Sequence, residues 1–332
     1  MQKSAFHAVG LSEPETLDEV RKSELLRVLG EADFLGVRDS TGADFLEKEG
    51  LSVERMPCGV TMLPRVCRKV WAKNETGSAM AAVKERFPKG WISVQVSGYR
   101  KKTFKPLIKS IAEKCARMNL GVVFFAAGTA TGHDDVVELA KRANSFPENG
   151  AMFFPFRNIW DISSLISESQ MCIGTSLHGR IVAMSAGIPR INLAVNFTKI
   201  KSYCRLWEHS AVPFELTAEQ LGDHFENLIE MDRGMLKAHS LWLQESYLTS
   251  FEKMCQATGL KQADLVALSD GNHGEALKNS QSLMSEWASD PKTLKMLKRI
   301  SRRRKKRREG VRATKSKPSS KSESTPLSRL PH

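Results

Sequence analysis

The sequence predicts an α/β fold, built on a doubly wound parallel sheet. Two observations carry that expectation. Between Gly90 and Ala194, short apolar runs alternate with helical patterns about every 10–15 residues, the spacing of strand–helix–strand units. The runs at 122–126 and 171–173 are apolar throughout, as expected where helices cover both faces of a sheet. Right-handed crossovers then make the sheet doubly wound.

The elements follow in order. Residues 17–31 carry helical periodicity through Leu17, Val20, Leu25, Val28 and Leu29. Phe34-Leu35-Gly36-Val37 reads as a strand, and Arg38-Asp39-Ser40 as the turn into a helix over 41–49 that Gly50 terminates. Residues 52–56 read as a further strand, and 58–75 as an irregular connection. Strands are then expected at 91–96, 122–126, 152–154, 171–174 and 191–194, separated by helices at 104–118, 134–144, 159–167 and 176–186. Two more helices follow, at about 217–231 and 232–258.

Composition limits the class. With 41% hydrophobic and 26% charged residues the chain has enough apolar material for a core. Neither a run of about 18 apolar residues nor the long apolar stretch of a secretory signal occurs. The six cysteines form no Cys-x-x-Cys pair and are read as free thiols, which predicts a cytoplasmic protein without a zinc site.

The charge divides unevenly. Residues 290–332 hold 16 Lys plus Arg against 3 Asp plus Glu, which equals the +13 of the whole chain, so residues 1–289 are neutral. Seven consecutive basic residues run from Arg302 to Arg308. A basic pI therefore says nothing about the body, and nucleic-acid binding by the folded part is not expected. The last segment, 261–332, reads as helical and then disordered, a basic tail suited to an anionic inner-membrane surface.

The sharpest local signal is Ile173-Gly174-Thr175-Ser176-Leu177-His178-Gly179-Arg180, where a buried strand ends and a helix begins. Ligands of open α/β sheets bind at such carboxyl ends, and a helix start presents free N–H groups to an anion. Thr175 or Ser176 can cap the helix, and His178 then lies in its first turn. The plain alternative is a capped helix with a satisfied core histidine.

The surroundings add to this. The stretch from Asp161 to Tyr203 resembles the polysaccharide pyruvyl transferase family. It presents a helix, a short apolar strand, Ser176-Leu177-His178-Gly179, a helix with small residues at Ala183 and Ala186, Gly187-Ile188-Pro189, a second strand, and the lysine-bearing Thr198-Lys199-Ile200-Lys201-Ser202-Tyr203. Gly36-Val37-Arg38-Asp39-Ser40 is similar to the family's Val-Arg-Asp segment. Similarity is recognisable over roughly residues 5–260, but only these two regions are specific.

The resemblance implies a two-domain, GT-B-like fold and transfer of a pyruvyl group from phosphoenolpyruvate to two hydroxyls of a sugar, giving a ketal. Phosphoenolpyruvate is then the donor substrate, no cofactor or metal is required, and the acceptor is a sugar or polysaccharide. His178 is the expected general acid, with Arg38, Arg100, Thr175, Ser176 and Lys199 as donor-binding residues. The donor is expected between the loops after Val96, Ala126 and Gly174.

Two departures stand out. Many members carry Arg where this chain has Ser176, and the strand–helix units before Gly90 are fewer than the family's. The expected organisation is an incomplete N-terminal α/β portion over 1–75, the Rossmann-like domain over 76–260, and the tail. The weaker candidates are Lys101, Lys102, His133, Asp134, Asp135 and His7. One alternative is a nucleotide-sugar glycosyltransferase, for which Glu208 is the candidate ribose contact. The other is an inactive domain with a polybasic anchor.

Overall fold

The computed structural model describes residues 3–66, 78–96, 104–128, 134, 136–144, 146, 150–155, 158–193 and 198–260. These lie in one unit, Met1–Asp270; the other unit, Gly271–His332, lies outside the described residues, as do Arg100, Lys101, Lys102, His133 and Asp135. The expectations placed on those positions and on the tail fall there.

Among the described residues there are two parallel sheets. The first has the order β1-β2-β3, with β1 at Ala5–Val9, β2 at Phe34–Val37 and β3 at Glu54–Arg55. Helix α1 (Glu19–Gly30) and α2 (Ser40–Lys48) connect them. A 3-10 turn, Gly59–Met62, and α3 (Leu63–Val66) follow. The segment from residue 58, read as an irregular connection, is therefore partly helical, and it buries Cys58, Thr61 and Met62. Strand β1 was not expected either. Its Ala5-Phe6-His7-Ala8-Val9 run is mostly half-exposed and lacks the continuous apolar signature of a buried strand.

The second sheet has six strands: β4 (Trp91–Gln95), β5 (Gly121–Phe124), β6 (Ala151–Phe153), β7 (Met171–Gly174), β8 (Arg190–Leu193) and β9 (Glu215–Leu216). Their order is β6-β5-β4-β7-β8-β9, and every pair is parallel. The chain starts in the middle at β4, winds outward through β5 and β6, then crosses back to β7 and winds the other way. The carboxyl ends of β4 and β7 are thus the topological switch point, where ligands of such sheets bind.

Alternation along the strands sorts the helices. Ile92, Val94, Val122, Phe124 and Ile173 face α5 (Phe104–Arg117), α6 (Val136–Asn144) and α10 (Ala218–Ile229), which bury Leu107, Ile111, Leu139, Leu221 and Phe225. Trp91, Val123, Phe125 and Cys172 face α4 (Ser78–Arg86), α7 (Ile159–Ser167) and α8 (Leu177–Ala186), through Met80, Val83, Leu165, Ile166 and Ala183. Among the described residues each face of the sheet thus carries three helices.

Helix α9 (Thr198–Trp207) and the 26-residue α11 (Arg233–Thr258) complete the described chain. At 1.5 Å per residue α11 is about 39 Å long, enough to touch both sheets. Its first half packs on α8, where the Ser240 hydroxyl donates to Ser185 O at 2.5 Å. Gly187 ends α8 with φ +66°, and a Cβ there would come within 3.2 Å of the Lys237 backbone, so glycine serves both the turn and the close approach. The second half of α11 lies on the small sheet. Met254 and Cys255 pack with Phe34 and Met56, and Ser250 and Lys253 bond Glu54 at 2.8 and 3.0 Å.

Candidate functional site

Three local features put functional groups at the carboxyl ends of the strands. Ser176 caps α8 and accepts a hydrogen bond from Gly179 N at 3.2 Å, which leaves His178 in the first turn, exposed. Asp39 caps α2, accepting from Gly42 N at 2.8 Å and from Leu11 N at 3.1 Å, which fixes Arg38 at the end of β2. Gly10, after β1, has no room for a side chain: a Cβ would lie 2.8 Å from Asp39 Oδ2 and 3.0 Å from Arg38 Nε.

These features meet. Arg38 Nη1 lies 3.5 Å from His178 Nε2, joining the carboxyl end of the small sheet to the start of α8 on the large one. Arginine can only donate, so the favourable arrangement leaves a lone pair on Nε2 and the proton on Nδ1. The other contact of Nη1 is the Cys58 thiol at 3.6 Å. Among the described residues no ion pair joins Arg38 to a carboxylate, because neighbouring Asp39 is committed to backbone N–H groups and to the Ser202 hydroxyl at 3.3 Å. Partial desolvation of the ring first, then the charges of Arg38 and Lys199, hold the His178 pKa below its ordinary value. The unliganded imidazole is neutral at neutral pH and sits in a positive field.

The other expected residues divide. Lys199, exposed in the first turn of α9, is close enough to act on His178 electrostatically. Thr175 is buried and tied to Gln95 of β4, whose Oε1 accepts from Thr175 N at 2.9 Å and from its hydroxyl at 3.3 Å. It fastens β7 to β4 at the switch point. Gln95 Nε2 in turn donates to Asp134 at 2.6 Å. Beneath the start of α8 there is a cavity of only about 10 Å³, lined by Gln95, Gly174, Arg180, Arg190 and Asn192, which is room for one water. Any substrate at this switch point must lie on the open side, with His178 and Arg38.

His7 is a packing residue: its Nε2 bonds the Tyr247 hydroxyl at 2.8 Å and its ring sits edge-on to Phe251. Glu208 is not a ribose contact. It lies fully inside, paired with Arg180 at 2.7 Å and Arg190 at 2.5 Å. Burial alone would raise its pKa, but the two guanidiniums outweigh burial and hold it at about 2. Arg180 also donates to Asn192 Oδ1 and to the carbonyls of Pro213 and Phe214, so the group is saturated by protein. Among the described residues no group of three or more His, Cys, Asp or Glu could hold a metal.

A family model for polysaccharide pyruvyl transferase matches residues 3–196, more than half of the chain and inclusive of Arg38 and His178. The chain belongs to the polysaccharide pyruvyl transferase family. No curated protein matches it. Among solved structures, an α,α-trehalose-phosphate synthase (UDP-forming) from Burkholderia xenovorans in complex with glucose-6-phosphate is similar, with TM-score 0.52 and 13% identity over 75% of this chain and 64% of that one. The Burkholderia vietnamiensis synthase gives 0.51 and 12%, over 76% and 64%. The S. aureus MnaA–UDP co-structure gives 0.50 and 13%, over 72% and 63%. At such identities these likenesses show the fold alone, that of the GT-B glycosyltransferases and epimerases. The chain spans 63% of MnaA and 64% of either synthase.

Proposed function

We propose that this family member transfers the pyruvyl group of phosphoenolpyruvate to two hydroxyls of a sugar during polysaccharide synthesis. The observation that carries the proposal is the Arg38–His178 pair, a guanidinium without a carboxylate partner among the described residues set against a histidine at a helix start. Phosphoenolpyruvate brings a phosphate and a carboxylate, and both groups suit Arg38, Lys199 and the first N–H groups of α8.

The reaction balances with the groups at hand. The enol carbon takes a proton from His178, and the adjoining carbon becomes the electrophile. One sugar hydroxyl adds there; the second displaces phosphate and closes the ketal. Of the two hydroxyl protons released, one re-protonates His178 and the other leaves with phosphate. The neutral histidine of the open cleft must gain a proton before it can act, and the bound anion favours that by cancelling the field of Arg38 and Lys199. A nucleotide-sugar glycosyltransferase reading loses its ribose contact, because Glu208 is internal.

The test is incubation with phosphoenolpyruvate and candidate sugar acceptors, following phosphate release together with a new ketal methyl signal by NMR. The proposal predicts both in equal amount; phosphate release without ketal, or neither product, contradicts it. We further propose that the excess charge of residues 290–332 brings the enzyme to anionic membrane. Deletion after Ser289 then abolishes salt-sensitive binding to anionic vesicles, and unchanged binding contradicts this.

A further inference from the structure

We infer that Ser202 and Trp207 of α9 are positioning residues for Arg38, holding the cation of the small sheet against His178. The inference rests on the reading of that pair as the donor site.

Four consecutive residues, Arg38 to Thr41, are held by these two side chains. The Trp207 indole N–H donates to Arg38 O at 2.9 Å. The Ser202 hydroxyl donates to Asp39 Oδ1 at 3.3 Å, lies 3.2 Å from the Ser40 hydroxyl, and accepts from Thr41 N at 2.7 Å. Both side chains are buried. Tyr203, next to Ser202 and wholly buried, accepts from Cys58 N at 3.4 Å, and Cys58 carries the thiol that Arg38 touches.

Helical spacing explains the set. Lys199, Tyr203 and Trp207 recur every four residues and share one face of α9, with Ser202 beside them. The helix therefore carries the lysine acting on His178 and the groups that fix Arg38. It is braced from behind: buried His239 of α11 donates to Trp207 O at 2.9 Å. Packing alone does not require this arrangement. A phenylalanine at 207 would fill the same apolar site, with Leu177, Ile181 and Leu243 around it, but could not hold the Arg38 carbonyl.

The consequence is read at His178. The charged groups acting on it are Arg38, from the turn after β2, and Lys199, from α9; the Cys58 thiol lies on Arg38. The experiment is NMR titration of His178 in the free full-length protein, for the wild type, Trp207→Phe, Ser202→Ala, Ser202→Thr and Arg38→Gln. Trp207→Phe and Ser202→Ala are expected to raise the His178 pKa toward that of Arg38→Gln. They are also expected to weaken phosphoenolpyruvate binding about tenfold, as for loss of one well-aligned charged contact. Ser202→Thr, which keeps the hydroxyl, is expected to restore the wild-type titration. Trp242→Phe, on a ring that packs with Trp207 but does not bond Arg38, serves as the control.

If both variants titrate like wild type, the inference is overturned, whatever happens to their melting temperatures. Should Trp207→Phe fail to fold, Ser202→Ala decides alone. A shifted His178 in a protein that does not bind phosphoenolpyruvate leaves the positioning role standing and overturns the donor reading instead.

Discussion

Two positive clusters sit about one helix start, and they are built in opposite ways. Arg180 and Arg190 lie inside, share Glu208, and spend their remaining N–H groups on Asn192 and backbone carbonyls. Arg38, with Lys199 nearby, lies at the cleft, where its guanidinium meets the Cys58 thiol and the His178 imidazole. The first cluster is complete within the protein. In the second, no ion pair joins Arg38 to a carboxylate among the described residues. The difference teaches how to tell a structural arginine from a binding one: what counts is whether the protein itself supplies the anion.

Breaking the internal cluster gives the largest expected effect on stability. Glu208→Gln leaves two buried guanidiniums without their counter-charge and is expected to cost about 3–5 kcal/mol of unfolding free energy, measured by urea denaturation. A cost below about 1 kcal/mol would mean that the carbonyls suffice and the contrast is false. The pH dependence has a definite sign. The carboxyl of Glu208 is depressed to about 2, so its contribution is full above the unfolded value near 4.5 and is lost as pH falls toward 2. The Gln variant should lack that part of the acid slope.

The cleft cluster should respond in activity instead. His178→Ala is expected to lower turnover about 100-fold or more while the fold melts as before. Unchanged turnover would remove His178 from the chemistry. A gentler probe uses the same residue intact. Because its pKa is held low in the open cleft, kcat/KM should fall as pH rises through that low value, and the corresponding limb of kcat should lie at higher pH, where the bound anion restores the proton. Coincident limbs would mean that the donor does not sit beside the imidazole.

The contrast also explains what was legible in the sequence. Strands β5 and β7 are buried on both faces, so their apolar runs announced themselves, whereas β4 and β8, which bury Ser93, Gln95, Arg190 and Asn192, were found from the regular spacing of strands and helices; β7 and α7 fall where the pattern put them. Strands β1 and β9 did not, since one is half-exposed and the other is two residues long. Arg38 and His178 each stood in a readable motif, but their meeting over 140 residues depends on how the two sheets pack, which no local pattern encodes. Glu208 looked available because its partners, 28 and 18 residues away, were not visible as partners. Ser202 and Trp207 were missed, although the four-residue recurrence of Lys199, Tyr203 and Trp207 is a helical face that could have been read.

The central claim is that Arg38, at the cleft beside His178, binds the donor's anionic groups. Calorimetric titration of phosphoenolpyruvate into the wild type and Arg38→Ala tests it most directly. The account predicts one saturable site in the wild type and binding about 10- to 100-fold weaker in the variant, the range for losing a charged hydrogen-bonding partner. Stability should change by about 0.5 kcal/mol or less. Equal affinity in the two proteins, with both folded, would contradict it.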